Sequence, residues 1–253
     1  MKKNNYRLGV VSVSFRQYTP QEILEETNKA GLSCIEWGSD IHAPCHDKGR
    51  LYELAALQTE YGIECSSYGT YFRLGETPIE ELEDYIQAAK ILGADILRLW
   101  CGTKSGEEYS EQEKQELTEQ CKQAAVIASS EGVILCMECH KNTYTQRLDD
   151  ALELMREIDS PNFQMYWQPF QWQTIEENLT YARVIAPFTH HIHVFQWKET
   201  QRFSLNDGIE EWQSYLREFN TPRTLLLEFM PDDKMASLSA EAKALRAIIG
   251  EKE

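Results

Sequence analysis

The chain has 253 residues, of which 42% are hydrophobic and 26% charged: enough length for one sizeable core, and the balance of an ordinary globular protein. Its formal charge of −16 creates a field that repels phosphodiester backbones and anionic bilayers, which argues against nucleic-acid and membrane-surface binding. A small anionic substrate held in a locally basic pocket remains compatible with it.

Cysteines stand at positions 34, 45, 65, 101, 121, 136 and 139, an odd number that cannot all pair within the chain. Most lie in apolar runs, where a reduced cysteine behaves as a small buried hydrophobe, so a reducing compartment is expected. The start Met1-Lys2-Lys3-Asn4-Asn5 is basic, but the apolar stretch after it is short and broken by Ser12 and Ser14. No signal-peptide pattern and no membrane-length apolar run are found, and the expected location is the cytoplasm.

In chain order, a first apolar run at Leu8–Phe15 predicts a strand. Thr19-Pro20-Gln21-Glu22 follows as a capping box with proline at the first helical position, opening a helix that reaches Ala30. The same alternation then repeats, with apolar runs at Ser33–Trp37, Ile63–Tyr68, Ile96–Trp100, Val133–Cys139, Phe163–Trp167, His190–Phe195 and Thr224–Met230. Amphipathic stretches rich in Glu, Lys and Gln separate them. Gly31, Gly62, Gly93 and Gly132 each sit between a helical pattern and the next strand, where the chain needs positive φ. Short apolar runs alternating with helices of roughly 10 to 20 residues are βα units around a parallel sheet. No glycine-rich phosphate loop follows the first strand, which disfavours an open doubly wound sheet. The expected fold is an α/β (β/α)8 barrel spanning residues 1–253 as one domain; about 250 residues is the usual size.

Chemistry in such barrels sits at the C-terminal ends of the strands. The strand ends read Ser14-Phe15-Arg16, Glu36-Trp37-Gly38, Ser67-Tyr68-Gly69, Trp100-Cys101, Glu138-Cys139-His140, Trp167-Gln168-Pro169, His193-Val194-Phe195 and Glu228-Phe229. Glu138, Gln168, His193 and Glu228 come from consecutive strands and can converge over one side of the mouth. Glutamate and histidine in an oxygen-rich set suit Mn²⁺, Mg²⁺, Co²⁺ or Zn²⁺. A cation also accounts for two carboxylates in an apolar cavity rimmed by Trp37, Trp100, Trp167 and Trp197, since unpaired charge is costly to bury. Each residue has a plainer reading too. A glutamate ending a strand is often a solvated cap, any of His190, His191 and His193 can be a core histidine, and tryptophans fill barrel cores. His193 ranks first of the three by its nearness to the strand end. Cys136 and Cys139 have C-x-x-C spacing, but residues three apart on a strand face opposite sides, so they are not expected to share a metal.

These segments resemble the xylose isomerase-like barrels known as sugar phosphate isomerases/epimerases, over nearly the whole chain. The resemblance is carried by Ile35-Glu36-Trp37-Gly38-Ser39-Asp40-Ile41-His42, Ser66-Ser67-Tyr68-Gly69-Thr70-Tyr71-Phe72-Arg73, Glu138-Cys139-His140, His191-Ile192-His193 and Leu227-Glu228-Phe229. It implies a divalent metal held by Glu138, Gln168, His193 and Glu228, with an amide at Gln168 where the broad family has aspartate. It also implies a substrate contact at His140, with His42 and Arg202 as weaker candidates, and a homo-oligomer. The strand-end residues Trp37, Tyr68 and Trp100 are further candidates for substrate contact, since bulky aromatic rings there suit the apolar face of a sugar.

The implied reaction is isomerisation or epimerisation of a sugar or sugar phosphate through an enediolate. One of Glu138 and Glu228 takes the proton beside the carbonyl and the other returns one. Two alternatives stand beside it: a keto-polyol (inosose-type) dehydratase sharing the proton abstraction, and a non-catalytic sugar-binding barrel. A DNA hydrolase of the endonuclease IV kind is disfavoured, because strands three and four end in Ser67-Tyr68 and Trp100-Cys101 rather than in histidine ligands.

Overall fold

Each apolar run becomes a strand whose alternate side chains face opposite ways, and eight of them close on themselves. The computed structural model describes residues 6–251. Strands β1 (Arg7–Val11), β2 (Cys34–Gly38), β3 (Glu64–Leu74), β4 (Ile96–Cys101), β5 (Ile134–Glu138), β6 (Phe163–Trp167) and β7 (Thr189–Val194) are parallel neighbours in sequence order. After β7 the chain makes an antiparallel hairpin of β8 (Gln196–Lys198) and β9 (Gln201–Phe203), and then β10 (Thr224–Leu227) pairs with both β7 and β1 to close the barrel.

Helices α1 (Pro20–Lys29), α2 (Lys48–Tyr61), α3 (Leu82–Leu92), α4 (Glu111–Glu131), α5 (Leu148–Ile158), α6 (Ile175–Ile185), α7 (Ile209–Arg217) and α8 (Leu238–Ile248) cover the outside. The capping box of α1 forms as expected, with Thr19 and Glu22 satisfying each other's backbone donors. Gly31, Gly62, Gly93 and Gly132 all take positive φ, between 66° and 78°, and release the chain from a helix into the next strand.

Strand parity divides the core in two. Ile35, Leu97, Leu99, Met137, Ile192, Val194, Leu225 and Leu227 point outward into the main core beneath the helices. Val11, Cys34, Ile96, Cys136, Tyr166 and Leu226 point into the barrel and fill it. Burying each large aliphatic side chain contributes roughly 1.5–3 kcal/mol. Cys136 and Cys139 fall in different clusters, and all seven cysteines are free thiols.

Three details differ from the sequence expectation. The first strand stops at Val11, because Ser12–Phe15 is a 3-10 turn; Ser12 Oγ accepts from Gly38 N at 2.8 Å and Ser14 Oγ from Phe229 N at 2.8 Å. The third strand runs past Tyr68 to Leu74, with a register shift between Gly69 and Arg73. Trp37, Tyr68 and Trp167 lie on outward-facing positions, which removes them from the barrel mouth. Among the described residues, no helix is long and apolar enough to cross a membrane.

Candidate active site

Above the apolar filling, the barrel interior turns polar. Glu36, Ser67, Arg98, Glu138 and His193 are buried there, with Glu228 one residue beyond β10. Glu228 stays in register because its N–H donates to Val194 O at 3.0 Å. Phe229 then takes a left-handed φ of 53°, unusual for an aromatic residue, and turns the chain across the mouth.

His193 is the hub. Its Nδ1 lies 3.2 Å from Gln168 Oε1, 3.3 Å from Glu138 Oε1 and 3.5 Å from Glu228 Oε2. The Gln168 amide is fixed by donation from Nε2 to Cys139 O at 3.1 Å, which leaves its carbonyl oxygen facing the imidazole. The four residues expected from strands five to eight are therefore brought together. Ligand atoms of Glu138, His193 and Glu228 all lie within 4.8 Å of one another.

A second set of polar groups sits behind them. Arg98 Nε donates to Glu36 Oε1 at 3.2 Å and Nη1 to Glu138 Oε2 at 2.9 Å. Trp100 Nε1 donates to the same Glu138 oxygen at 2.5 Å. Tyr166 and Ser67 hydroxyls donate to Glu36 Oε2 at 2.6 and 2.9 Å.

The two glutamates at the mouth are electrostatically unequal. Burial works to raise the Glu138 carboxyl, but the Arg98 charge and the His193 contact outweigh it and hold Glu138 well below the usual range. Glu228 is pushed up to about 7, by burial first, with the Glu138 charge adding to it and His193 opposing. Burial lowers His193, yet Glu228 and Glu36 reverse this and take it to about 10. Glu36 falls to about 2 despite its burial, through the His193 and Arg98 charges.

The donor chemistry fits a divalent cation. Three buried carboxylates meet one guanidinium and one imidazole, so the set keeps an excess of negative charge even with His193 protonated. Nδ1 has three oxygens around it and can donate to only one of them. Two carboxylates, an imidazole nitrogen and an amide oxygen are suitable ligands for Mg²⁺, Mn²⁺, Co²⁺ or Zn²⁺.

The cavity over this cluster has a volume of about 280 Å³ and is lined by Val13, Arg16, Tyr71, Arg98, Trp100, Glu138, His140, Gln168, Gln171, Trp197, Glu228 and Phe229. That is at the small end of ligand sites, of order 300 Å³ and above, and suits a single ring. Arg16, paired with Asp40, and Arg98 line it, and two further arginines stack on its aromatic walls. Arg73 stacks over Trp100 at 4.6 Å, and Arg202 stacks over Trp197 and Phe229, each at 4.7 Å, while pairing with Asp233.

Of the expected substrate contacts, His140 and Trp100 line the cavity, and Arg202 backs two of its walls. Trp37, His42 and Tyr68 do not. Trp37 Nε1 donates to Gln58 in α2 at 2.6 Å, the Tyr68 hydroxyl donates to Ala43 O at 2.5 Å, and His42 is buried against Trp37 with Nε2 3.2 Å from Tyr18 O. Trp167 packs outward on Trp212, Tyr215 and Phe219. Conversely, Arg98 and Glu36 were not singled out from the sequence. The available signal was a charged residue flanked on both sides by apolar ones within a strand, as in Leu97-Arg98-Leu99.

A closed parallel barrel with a buried Glu/His/Glu cluster over its strand ends, one that could hold a metal ion, defines a (β/α)8 protein with a candidate metal centre. The sequence profile of the xylose isomerase-like TIM barrel family matches residues 24–248, and the chain belongs to that family. It is 24% identical to a 3-dehydroshikimate dehydratase of Bacillus anthracis over 95% of this chain and 96% of that protein. The crystal structure of the "probable 3-DHS dehydratase" of Bacillus anthracis superposes with a TM-score of 0.80 at 18% identity, covering 94% of this chain and 98% of that one. A D-psicose 3-epimerase crystallised with D-fructose superposes at 0.72 with 14% identity, covering 97% and 100%. A xylose isomerase-like barrel from Mycobacterium smegmatis in complex with magnesium gives 0.69 at 12%, covering 97% of each chain.

Proposed function

We propose that the protein is a metal-dependent dehydratase of a cyclic hydroxy-ketone carrying a carboxylate, with 3-dehydroshikimate as the first candidate. This takes up the dehydratase alternative in place of isomerisation or epimerisation. One observation carries it: the identity with a dehydratase runs over 95% of the chain. The cavity agrees with such a ligand, being sized for one ring, walled by Trp100, Trp197 and Phe229, and bordered by arginines.

Glu138, Gln168, His193 and Glu228 would hold the metal. A divalent cation bound there supplies Lewis-acid polarisation of the substrate carbonyl and positive charge for the enolate oxygen. Glu228 is the stronger base of the two glutamates, since Arg98 and Trp100 both donate to Glu138, and it takes the proton beside the carbonyl. His140 Nδ1 lies 2.7 Å from Lys141 O, a carbonyl that can only accept, so Nδ1 carries a proton and Nε2 is left for the cavity. From Nε2 a protonated His140 gives a proton to the departing hydroxyl. The C–H and C–O bonds break, a C=C bond forms and water leaves. In 3-dehydroshikimate the dienone so formed enolises, a ring CH2 losing a proton and the ketone oxygen gaining one, and the ring becomes aromatic.

The test is to load the purified protein with Mn²⁺, Co²⁺, Zn²⁺ or Mg²⁺, add 3-dehydroshikimate and follow aromatic absorbance. Formation of a product lighter by one water supports the reading. A product of unchanged mass from a keto-sugar, with no dehydration, would return epimerisation to first place.

A further inference from the structure

We propose that Glu36 is a positioning residue that fixes the proton of His193 on Nε2, so that Nδ1 presents its lone pair to the metal. The inference rests on the ligand set proposed above. An imidazole binding a metal through one nitrogen carries its proton on the other, and the group accepting that proton sets ring orientation and basicity. His193 is wholly buried, and its Nε2 has no hydrogen-bond partner of ordinary length; the carboxylate facing it is Glu36 Oε1, at 3.5 Å. The opposite nitrogen faces the three oxygens of the ligand cluster.

Glu36 is itself held firmly. Arg98 Nε donates to the oxygen that faces His193, while the Tyr166 and Ser67 hydroxyls donate to the other. The Tyr166 ring also packs against the imidazole, with centroids 4.5 Å apart, and so limits its rotation. Backbone space is reserved for the arrangement: a Cβ at Gly69 would lie 2.5 Å from Glu36 Oε1 and 2.9 Å from Arg98 Nη2. A buried carboxylate with four converging groups, one of them an imidazole aimed at the ligand cluster, is built for orientation rather than for contact with substrate.

The experiment compares wild type, Glu36→Gln and Glu36→Leu by Mn²⁺ titration of the folded protein and by ¹⁵N NMR of the histidine side chains. Glutamine keeps an acceptor at the Oε1 position and leucine does not. Expected is a 10- to 100-fold weaker Mn²⁺ affinity in Glu36→Leu, with Glu36→Gln between it and wild type. In wild type loaded with diamagnetic Zn²⁺, Nε2 is the protonated nitrogen of His193 and Nδ1 carries none. If Glu36→Leu does not fold, the glutamine variant and the wild-type spectrum decide. Unchanged Mn²⁺ affinity in a folded variant, or a wild-type Nε2 without its proton, overturns the proposal. Wild type that binds no Mn²⁺ but keeps the Nε2 proton overturns the metal reading instead, and leaves Glu36 as the group that orients His193.

Discussion

Arg98 bridges Glu36 and Glu138, donating Nε to the first at 3.2 Å and Nη1 to the second at 2.9 Å, with all three side chains buried. One guanidinium thereby ties β2 to β5 through β4 and supplies the positive charge that lets two carboxylates sit in the barrel. Removing one partner from such a set leaves uncompensated buried charge. Arg98→Met is therefore expected to destabilise the protein by about 3–5 kcal/mol. Urea unfolding measures it, and a loss under about 1 kcal/mol would mean that the carboxylates find other partners.

Glu138→Gln and Glu228→Gln keep side-chain size while removing a base and a ligand charge. Each is expected to cut dehydration turnover roughly 100- to 10,000-fold with the circular dichroism spectrum unchanged. Near-normal turnover in both would remove these glutamates from the mechanism.

A ligand that binds only the folded state stabilises it by mass action. Mn²⁺ at about 100 times its Kd should add roughly 2.7 kcal/mol and raise Tm in wild type. The Glu138→Ala/Glu228→Ala double variant should show no such rise in a calorimetric scan. An equal rise in both would locate the ion elsewhere.

His191 gives a pH dependence with a definite sign. Burial lowers it from its ordinary 6.5 to about 4, and its Nε2 lies 3.1 Å from Ser66 O. Between these two values the unfolded chain binds the extra proton and the folded one does not, so stability rises with pH across the window. The contribution is complete above about 6.5 and is lost as pH falls toward 4, a difference of order 3 kcal/mol. His191→Gln should flatten that part of the stability profile relative to wild type. Parallel profiles would show that His191 is not the group responsible.

Trp37 and Trp100 should separate stability from activity. Trp37→Phe strands Gln58 Oε1 inside the outer core, costing about 1–3 kcal/mol, and leaves turnover unchanged. Trp100→Phe removes the donor to Glu138 Oε2 in the cavity wall and lowers turnover with little change in Tm.

The barrel was legible because its signals are local: capping residues, glycines after helices and apolar runs of strand length. The strand-end polar residues Glu138, Gln168, His193 and Glu228 were legible for the same reason, since each closes an apolar run. What single positions do not display is parity. Trp37 and Glu36 are adjacent on one strand, yet the glutamate faces the interior and the tryptophan faces α2, and nothing local to either says which. Arg98 escaped notice because its partners are 62 and 40 residues away in sequence. Long-range pairing is what a linear reading lacks.

The arginines that line or back the cavity belong to a chain of net charge −16. An anion approaching from afar is repelled by the acidic exterior and is attracted only over the last few ångströms. Added salt shortens the reach of the repulsion, from roughly 30 Å at 0.01 M to about 10 Å at 0.1 M, while the buried Arg98 is screened less. If the substrate is the proposed carboxylate, its diffusional capture should be faster at moderate salt than in dilute buffer, the reverse of an electrostatically steered encounter.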